Sequence, residues 1–190
     1  MKRNVAIALI AIGVLAVFLA TALWGYNLYE SERAKNSAQD LMQSLLRQVD
    51  PQKEDDPFNE KMKVVDIDSY GYIGYLSVPT LNLELPVMST YDYSRLKLAP
   101  CRYYGSAKSD NLVIAAHNYK HHFGYIGKLA AGDTILFTDM EGTIYRYRVT
   151  AVEVIPPTAV DQVKDSGDAL VLYTCNYSGN KRVVVRCVYA

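Results

Sequence analysis

The stretch L-Y-T-C-N-Y-S-G-N-K-R, Leu172 to Arg182, decides how the C-terminal part of this chain is read. Leu170 and Val171 lead into it and Val183, Val184 and Val185 follow, so two apolar runs flank a polar tip. That pattern predicts paired strands, with Ser178-Gly179 as a two-residue turn. Counting back from the turn pairs Tyr177 with Asn180, Asn176 with Lys181, and Cys175 with Arg182. Directly opposed residues point to the same face, with Cβ atoms about 5 Å apart. A guanidinium beside a sulfur favours the thiolate and can hold a developing oxyanion, so the chain reads as a cysteine enzyme. A slip of one residue in the register would put the two side chains on opposite faces.

A thiol nucleophile needs a base or imidazolium nearby, because a free cysteine is mostly protonated at neutral pH. All three histidines lie in A-A-H-N-Y-K-H-H-F-G, Ala115 to Gly124. His117 directly follows the apolar run Leu112–Ala116 and so sits at a strand end facing a loop; His121 and His122 read as solvated loop residues. A zinc site through His117 and His121 would require that stretch to be helical. Asn118-Tyr119 after a strand reads as loop, no C-x-x-C occurs, and no acidic residue lies within the cluster. The ligand pattern is incomplete, and neither a metal nor another cofactor is expected.

Further out, short β-rich runs separated by turn signals fill the stretch from Val64 to Ala190. They are Tyr72–Val78, Leu83–Val87, Leu112–Ala116, Thr134–Thr138, Thr143–Val154, Leu170–Thr174 and Arg182–Tyr189. Between Ile144 and Val154 polar and apolar residues alternate only in part, which predicts a bulge or two-sided burial. One short helical turn is expected near Phe123 to Leu129. Together these elements predict an antiparallel barrel or sandwich. Sixteen tyrosines against one tryptophan suit a half-buried aromatic surface of the kind that lines peptide grooves. The three cysteines, Cys101, Cys175 and Cys187, are an odd number for an exported domain and leave at least one thiol unpaired within the chain. Cys101 reads as a loop residue, and a Cys101–Cys187 bridge is left open.

At the other end, Lys2 and Arg3 precede an uncharged run from Val5 to Trp24. About 20 helical residues span the roughly 30 Å of a bilayer core. The basic tip predicts a single-pass anchor with its N terminus in the cytoplasm and the remainder outside the cell. Ala20-Thr21-Ala22 offers an A-x-A-like cleavage site, but the apolar run is longer than the ~7–15 residues of a secretory signal. Leu41, Met42, Leu45, Leu46 and Val49 recur at helical spacing and predict a stalk helix. Its stripe could face the domain, the membrane surface or another copy. Asp50 to Lys63, with two prolines and a Lys-Glu-Asp-Asp run, reads as a linker. The expected organisation is therefore anchor (1–25), stalk and linker (26–63) and catalytic domain (64–190). Formal net charge is zero, which gives no electrostatic case for nucleic acid.

Taken in order, these pieces resemble the sortases, the cysteine transpeptidases of Gram-positive cell surfaces. The resemblance is carried by Y-I-G-Y-L-S-V-P-T-L-N-L-E-L-P-V (Tyr72 to Val87), N-L-V-I-A-A-H-N (Asn111 to Asn118), G-D-T-I-L-F-T (Gly132 to Thr138) and the final L-Y-T-C…K-R-V-V-V. It implies a closed antiparallel eight-stranded β-barrel with short helices. It also implies His117, Cys175 and Arg182 as catalytic residues, with Thr174 and Asn118 lining the substrate groove. Thr174 matches the second threonine of the family's T-L-x-T-C; Val171 stands where the first would be. Arg186 is the rival arginine, but four strand residues put it about 13 Å from Arg182. The implied partners are surface proteins or pilins bearing a C-terminal sorting signal such as L-P-x-T-G. The implied acceptor is an amine of a peptidoglycan precursor or a pilin lysine. Two other readings of the same residues are a hydrolytic cysteine peptidase and a non-catalytic tethered binding domain. The segment from Ile155 to Asp168 is where the family's classes differ, and its residues leave the class open.

Overall fold

The structure, a computed structural model, describes residues 2–49, 61–164 and 166–190. The chain divides into two compact units, Met1–Arg33 and Ala34–Ala190. The first is helical, part of a helix α1 that runs Lys2–Leu46. Its apolar side chains, from Ile7 to Trp24, are exposed on every side. A helix apolar all round is suited to lipid rather than to an aqueous surface. By length and composition it could cross a membrane.

The second unit opens with the last turns of α1. Ala34, Ala38, Met42 and Leu45 are buried there, at i, i+4 and i, i+3 spacing. Most of the expected stripe is packed there, Met42 and Leu45 buried and Leu41 and Val49 partly so; Leu46 instead is 51% exposed, and Ala34 and Ala38 extend the stripe toward the N terminus. Ala38 joins a cluster with Met62 and Ile73, and Leu45 joins another with Ile67 and Tyr72. Of the three surfaces open to it, the stripe has taken the domain. Of the expected linker, residues 50–60 lie outside the described residues.

Nine strands follow among the described residues: β1 (Val65–Ile67), β2 (Tyr70–Val78), β3 (Leu83–Met88), β4 (Cys101–Tyr104), β5 (Leu112–Ala115), β6 (Thr134–Asp139), β7 (Ile144–Ile155), β8 (Leu170–Cys175) and β9 (Arg182–Tyr189). Hydrogen-bonded order is β1-β2-β3-β4-β5-β8-β9-β7-β6, and a further β2–β6 pairing closes β2 to β9 into the expected eight-stranded barrel, with β1 appended. Closure needs Gly74. At φ +146° it lies against β6, where a Cβ would come within 2.0 Å of the Thr138 carbonyl oxygen. The barrel is not antiparallel throughout, since β3–β4 and β5–β8 run parallel. Strands β6 and β7 attach at the far side of the sheet, so β8 re-enters beside β5 in the same direction. The irregular stretch of β7 is a bulge between Val149 and Ala151.

Strand alternation sorts the core into two clusters. Ile73, Leu85, Ile114, Phe137, Tyr147, Leu172 and Val185 belong to one that draws on seven barrel strands, which makes it the barrel interior. Val113 and Ala115 of β5, Val171 and Tyr173 of β8 and Val184 of β9 belong to the second, on the outer face. With a period of two, His117, Cys175 and Arg182 each continue the outer set of their own chain segment.

Candidate active site

Cys175 ends β8 and Arg182 begins β9, and the two are Cα partners in the antiparallel ladder. The turn between them differs from expectation. Gly179 N donates to the Asn176 carbonyl at 3.0 Å, so Tyr177 and Ser178 form the centre of the turn, and Gly179 follows at φ +74°. Asn176 N still donates to the Lys181 carbonyl at 3.0 Å, which keeps Asn176 opposite Lys181 and the next pair as expected. Arg182 Nη1 donates to the Gly179 and Lys181 carbonyls, both at 3.1 Å, which fixes the guanidinium plane.

His117 reaches Cys175 from the other side. The parallel β5–β8 ladder pairs Leu112 with Leu170 through Ala115 with Tyr173. Past its end, Thr174 Oγ1 donates to the Ala116 carbonyl at 2.8 Å, and Asn118 Nδ2 to the Asn176 carbonyl at 3.1 Å. Ala116 is thus beside Thr174 and Asn118 beside Asn176, which places His117 alongside Cys175. Neighbouring strands are about 4.8 Å apart. Histidine, cysteine and arginine therefore form one row across three adjacent segments, and all three line a single cleft of about 340 Å³.

A sortase domain family matches residues 76–190, the barrel from the end of β2 onward. The chain belongs to the sortase family. It is 27% identical over 179 residues to sortase A of Bacillus anthracis, covering 86% of this chain and 85% of that protein. Among solved structures it resembles sortase C-3 of Streptococcus pneumoniae (25% identity, TM-score 0.58, 85% of this chain and 84% of that one). A sortase D5 transpeptidase of Clostridium perfringens shares the fold at 18% identity, with TM-score 0.62 over 82% of this chain and 97% of the other. These relatives carry A, C and D designations, so the likeness is to the family rather than to one class. Sortases are cysteine transpeptidases, and this sortase is an enzyme of that kind.

Within this sortase the three cysteines have different surroundings. All are free thiols. Cys101 is not in a loop but opens β4, fully buried in the outer cluster, while Cys187 is buried in the barrel interior. The two do not pair. Burial pushes the Cys101 thiol up to about 11 and the Cys187 thiol up to about 12, so neither ionises near neutrality. Cys175 is half-buried and opens on the cleft. Arg186 is committed elsewhere: Nε donates to Glu153 Oε1 at 2.5 Å and Nη1 to Asp168 Oδ2 at 2.7 Å.

The cleft walls hold residues that sequence reasoning did not name individually: Tyr91, Tyr93, Tyr103, Tyr173 and Val160. The only signal for the four tyrosines was the overall abundance of that residue, and Val160 had none. Burial raises the Tyr91 and Tyr173 phenols above their ordinary value, and Cys175 adds to the rise in both. These rings act as neutral, apolar walls with hydroxyl tips. His117 is packed between two of the chain's tyrosines. Tyr119 stacks on it at 4.8 Å between ring centroids, and Tyr93 meets it edge-on at 5.3 Å.

His122 corrects an expectation. Rather than solvated, it is 1% exposed. The segment after β5 coils back, with Phe123 N donating to the His117 carbonyl at 3.1 Å and Gly124 N to the Tyr119 carbonyl at 2.9 Å. That coil buries His122, Phe123 and Ile126. Among the described residues, no group of three or more His, Cys, Asp or Glu side chains could hold a metal ion.

Proposed function

We propose that this sortase joins proteins bearing a C-terminal sorting signal to an amine at the cell surface, with Cys175 as nucleophile, His117 as acid and base, and Arg182 as oxyanion donor. The observation that carries the proposal is the row His117–Cys175–Arg182 along one cleft. The Cys175 thiolate attacks the carbonyl carbon of a threonine in an L-P-x-T-G-like signal. Arg182 donates hydrogen bonds to the oxyanion that forms. As the C–N bond breaks, imidazolium His117 gives its proton to the departing amine and leaves a thioester on Cys175. An acceptor amine, from a peptidoglycan precursor or a pilin lysine, attacks the thioester. His117 takes the proton and the thiolate leaves, so one amide replaces another with no net redox change.

The tyrosine walls favour an apolar side chain near the start of the signal. The N-terminal part of α1 would hold the enzyme in the membrane with Lys2 and Arg3 on the cytoplasmic side, which sets the catalytic unit facing the cell wall. Incubating the enzyme with a panel of sorting peptides and measuring intact mass tests the reaction. An acyl adduct on Cys175 that disappears when triglycine or a lysine peptide is added supports transpeptidation. Release of free acid at the same rate with and without the amine would make the enzyme a hydrolase instead. No adduct with any peptide would leave a tethered binding domain.

A further inference from the structure

The backbone ladder between β5 and β8 stops short of the reacting pair. Its last contributions are the Ala115–Tyr173 pairing and a bond from Ala116 N to the Tyr173 carbonyl at 3.2 Å. Two side chains span the gap. Thr174 Oγ1 donates to Ala116 O, and Asn118 Nδ2 donates to Asn176 O. The four residues in these bonds are the immediate neighbours of His117 and Cys175, one bond on each side of the pair.

Both bonds join residues 58 apart in sequence, so no local structure supplies them. Thr174 is among the residues that line the cleft, but its side chain is buried and its hydroxyl is engaged by the Ala116 carbonyl. The Asn176 carbonyl is a firm acceptor because Asn176 is itself pinned. Its Nδ2 donates to Ser178 Oγ and Asn180 Oδ1, both at 2.9 Å, and its Oδ1 accepts from Lys181 N at 3.0 Å.

We infer that Thr174 and Asn118 are positioning residues: their side chains continue the β5–β8 ladder past its backbone end and hold the His117 imidazole alongside the Cys175 thiol. The inference rests on the proposed pairing of Cys175 with His117. It gives both residues an internal role in place of the substrate-groove role that the family resemblance implies.

The test uses the full-length enzyme and two readouts. One is the rate of Cys175 alkylation by iodoacetamide from pH 5 to pH 10, followed by mass. The other is kcat and KM on an L-P-x-T-G peptide with triglycine. The variants are Asn118→Leu, Thr174→Val, the hydroxyl-retaining Thr174→Ser, and His117→Ala as reference. A misplacement of about 1 Å costs on the order of 100-fold in rate. Asn118→Leu and Thr174→Val should therefore lose roughly 10- to 100-fold in kcat, with KM within about twofold. Their alkylation profiles should move toward that of His117→Ala, while Thr174→Ser stays within about threefold of the parent. If Asn118→Leu does not fold, Asn118→Ser carries the same test.

A raised KM with an unaltered alkylation profile would overturn the inference and return both residues to the substrate. Parental kcat and profile, even with lowered thermal stability, would overturn it too. A parent enzyme that turns over no peptide defeats the proposed reaction, yet alkylation still reports on the positioning. If His117→Ala leaves the alkylation profile unaltered, the pairing itself fails and takes this inference with it.

Discussion

Cys175 has two flanks, and they are held in different ways. On the β9 side, Arg182 is fixed by an antiparallel ladder joined by one tight turn, and its guanidinium is bonded to carbonyls of that turn. On the β5 side, His117 lies past the end of a parallel ladder, kept in place by two side-chain hydrogen bonds and by two tyrosine rings, one stacked and one edge-on. One flank is local and made of backbone. The other is assembled from distant segments and finished by side chains, each worth only ~1 kcal/mol net. The Arg182 flank is thus expected to tolerate surrounding mutations, and the His117 flank to be sensitive to them.

The largest effects test whether both flanks are needed at all. His117→Ala should lower kcat/KM by about 10²–10⁴-fold, the usual worth of a positioned acid–base group. Arg182→Ala should lower it by about 10²–10³-fold. If Arg186→Gln gave the larger loss of the two arginine variants, the assignment of the β9 flank would be wrong. With Glu153 and Asp168 as its partners, Arg186→Gln is expected to keep turnover within about threefold and to cost about 1 kcal/mol of stability.

Next in size is acid sensitivity confined to the His117 side. Burial first, and then neighbouring His117, hold the His122 imidazole down to about 4. An unfolded histidine titrates near 6.5, so the unfolded chain takes up the proton first. The contribution is present in full above about pH 6.5 and is lost as pH falls through about 4, with a size on the order of 3 kcal/mol. Urea midpoints should fall across that window, and His122→Leu should remove much of the decline. Equal acid sensitivity in both proteins would assign it to other groups.

The smallest effect concerns the rings around His117. A stacked aromatic contact is worth ~1 kcal/mol, so Tyr119→Leu should reduce kcat roughly fivefold with Cys175 still reactive. A loss as large as that of His117→Ala would mean the stack, not the hydrogen-bonded rungs, places the imidazole.

The pairing of Cys175 with Arg182 was legible because it depends on a few consecutive residues. It survived even a misplaced turn, since a centre at Ser178-Gly179 and the observed centre at Tyr177-Ser178 both leave Asn176 opposite Lys181. Strand β4 was not legible: Cys101–Tyr104 is short, follows a proline, and is defined by partners in β3 and β5. Nor was the burial of His122, because loop composition says nothing about a coil that folds back beneath β5. The end of α1 was legible in its large apolar residues, of which Met42 and Leu45 are buried, but its docking through Ala34 and Ala38 was not, because small side chains leave no apolar stripe to read.

Sequence alone determined the apolar N-terminal helix, the order of the main strands, and the opposition of thiol and guanidinium. Each follows from composition, period or a short turn, which near neighbours in the chain control. Only the tertiary structure decided that β8 runs parallel to β5, which brings His117 into the row, and that Cys101 and Cys187 are sealed in separate cores. Those outcomes depend on closing the barrel through β2 and β6, a contact between segments that no short stretch of chain specifies.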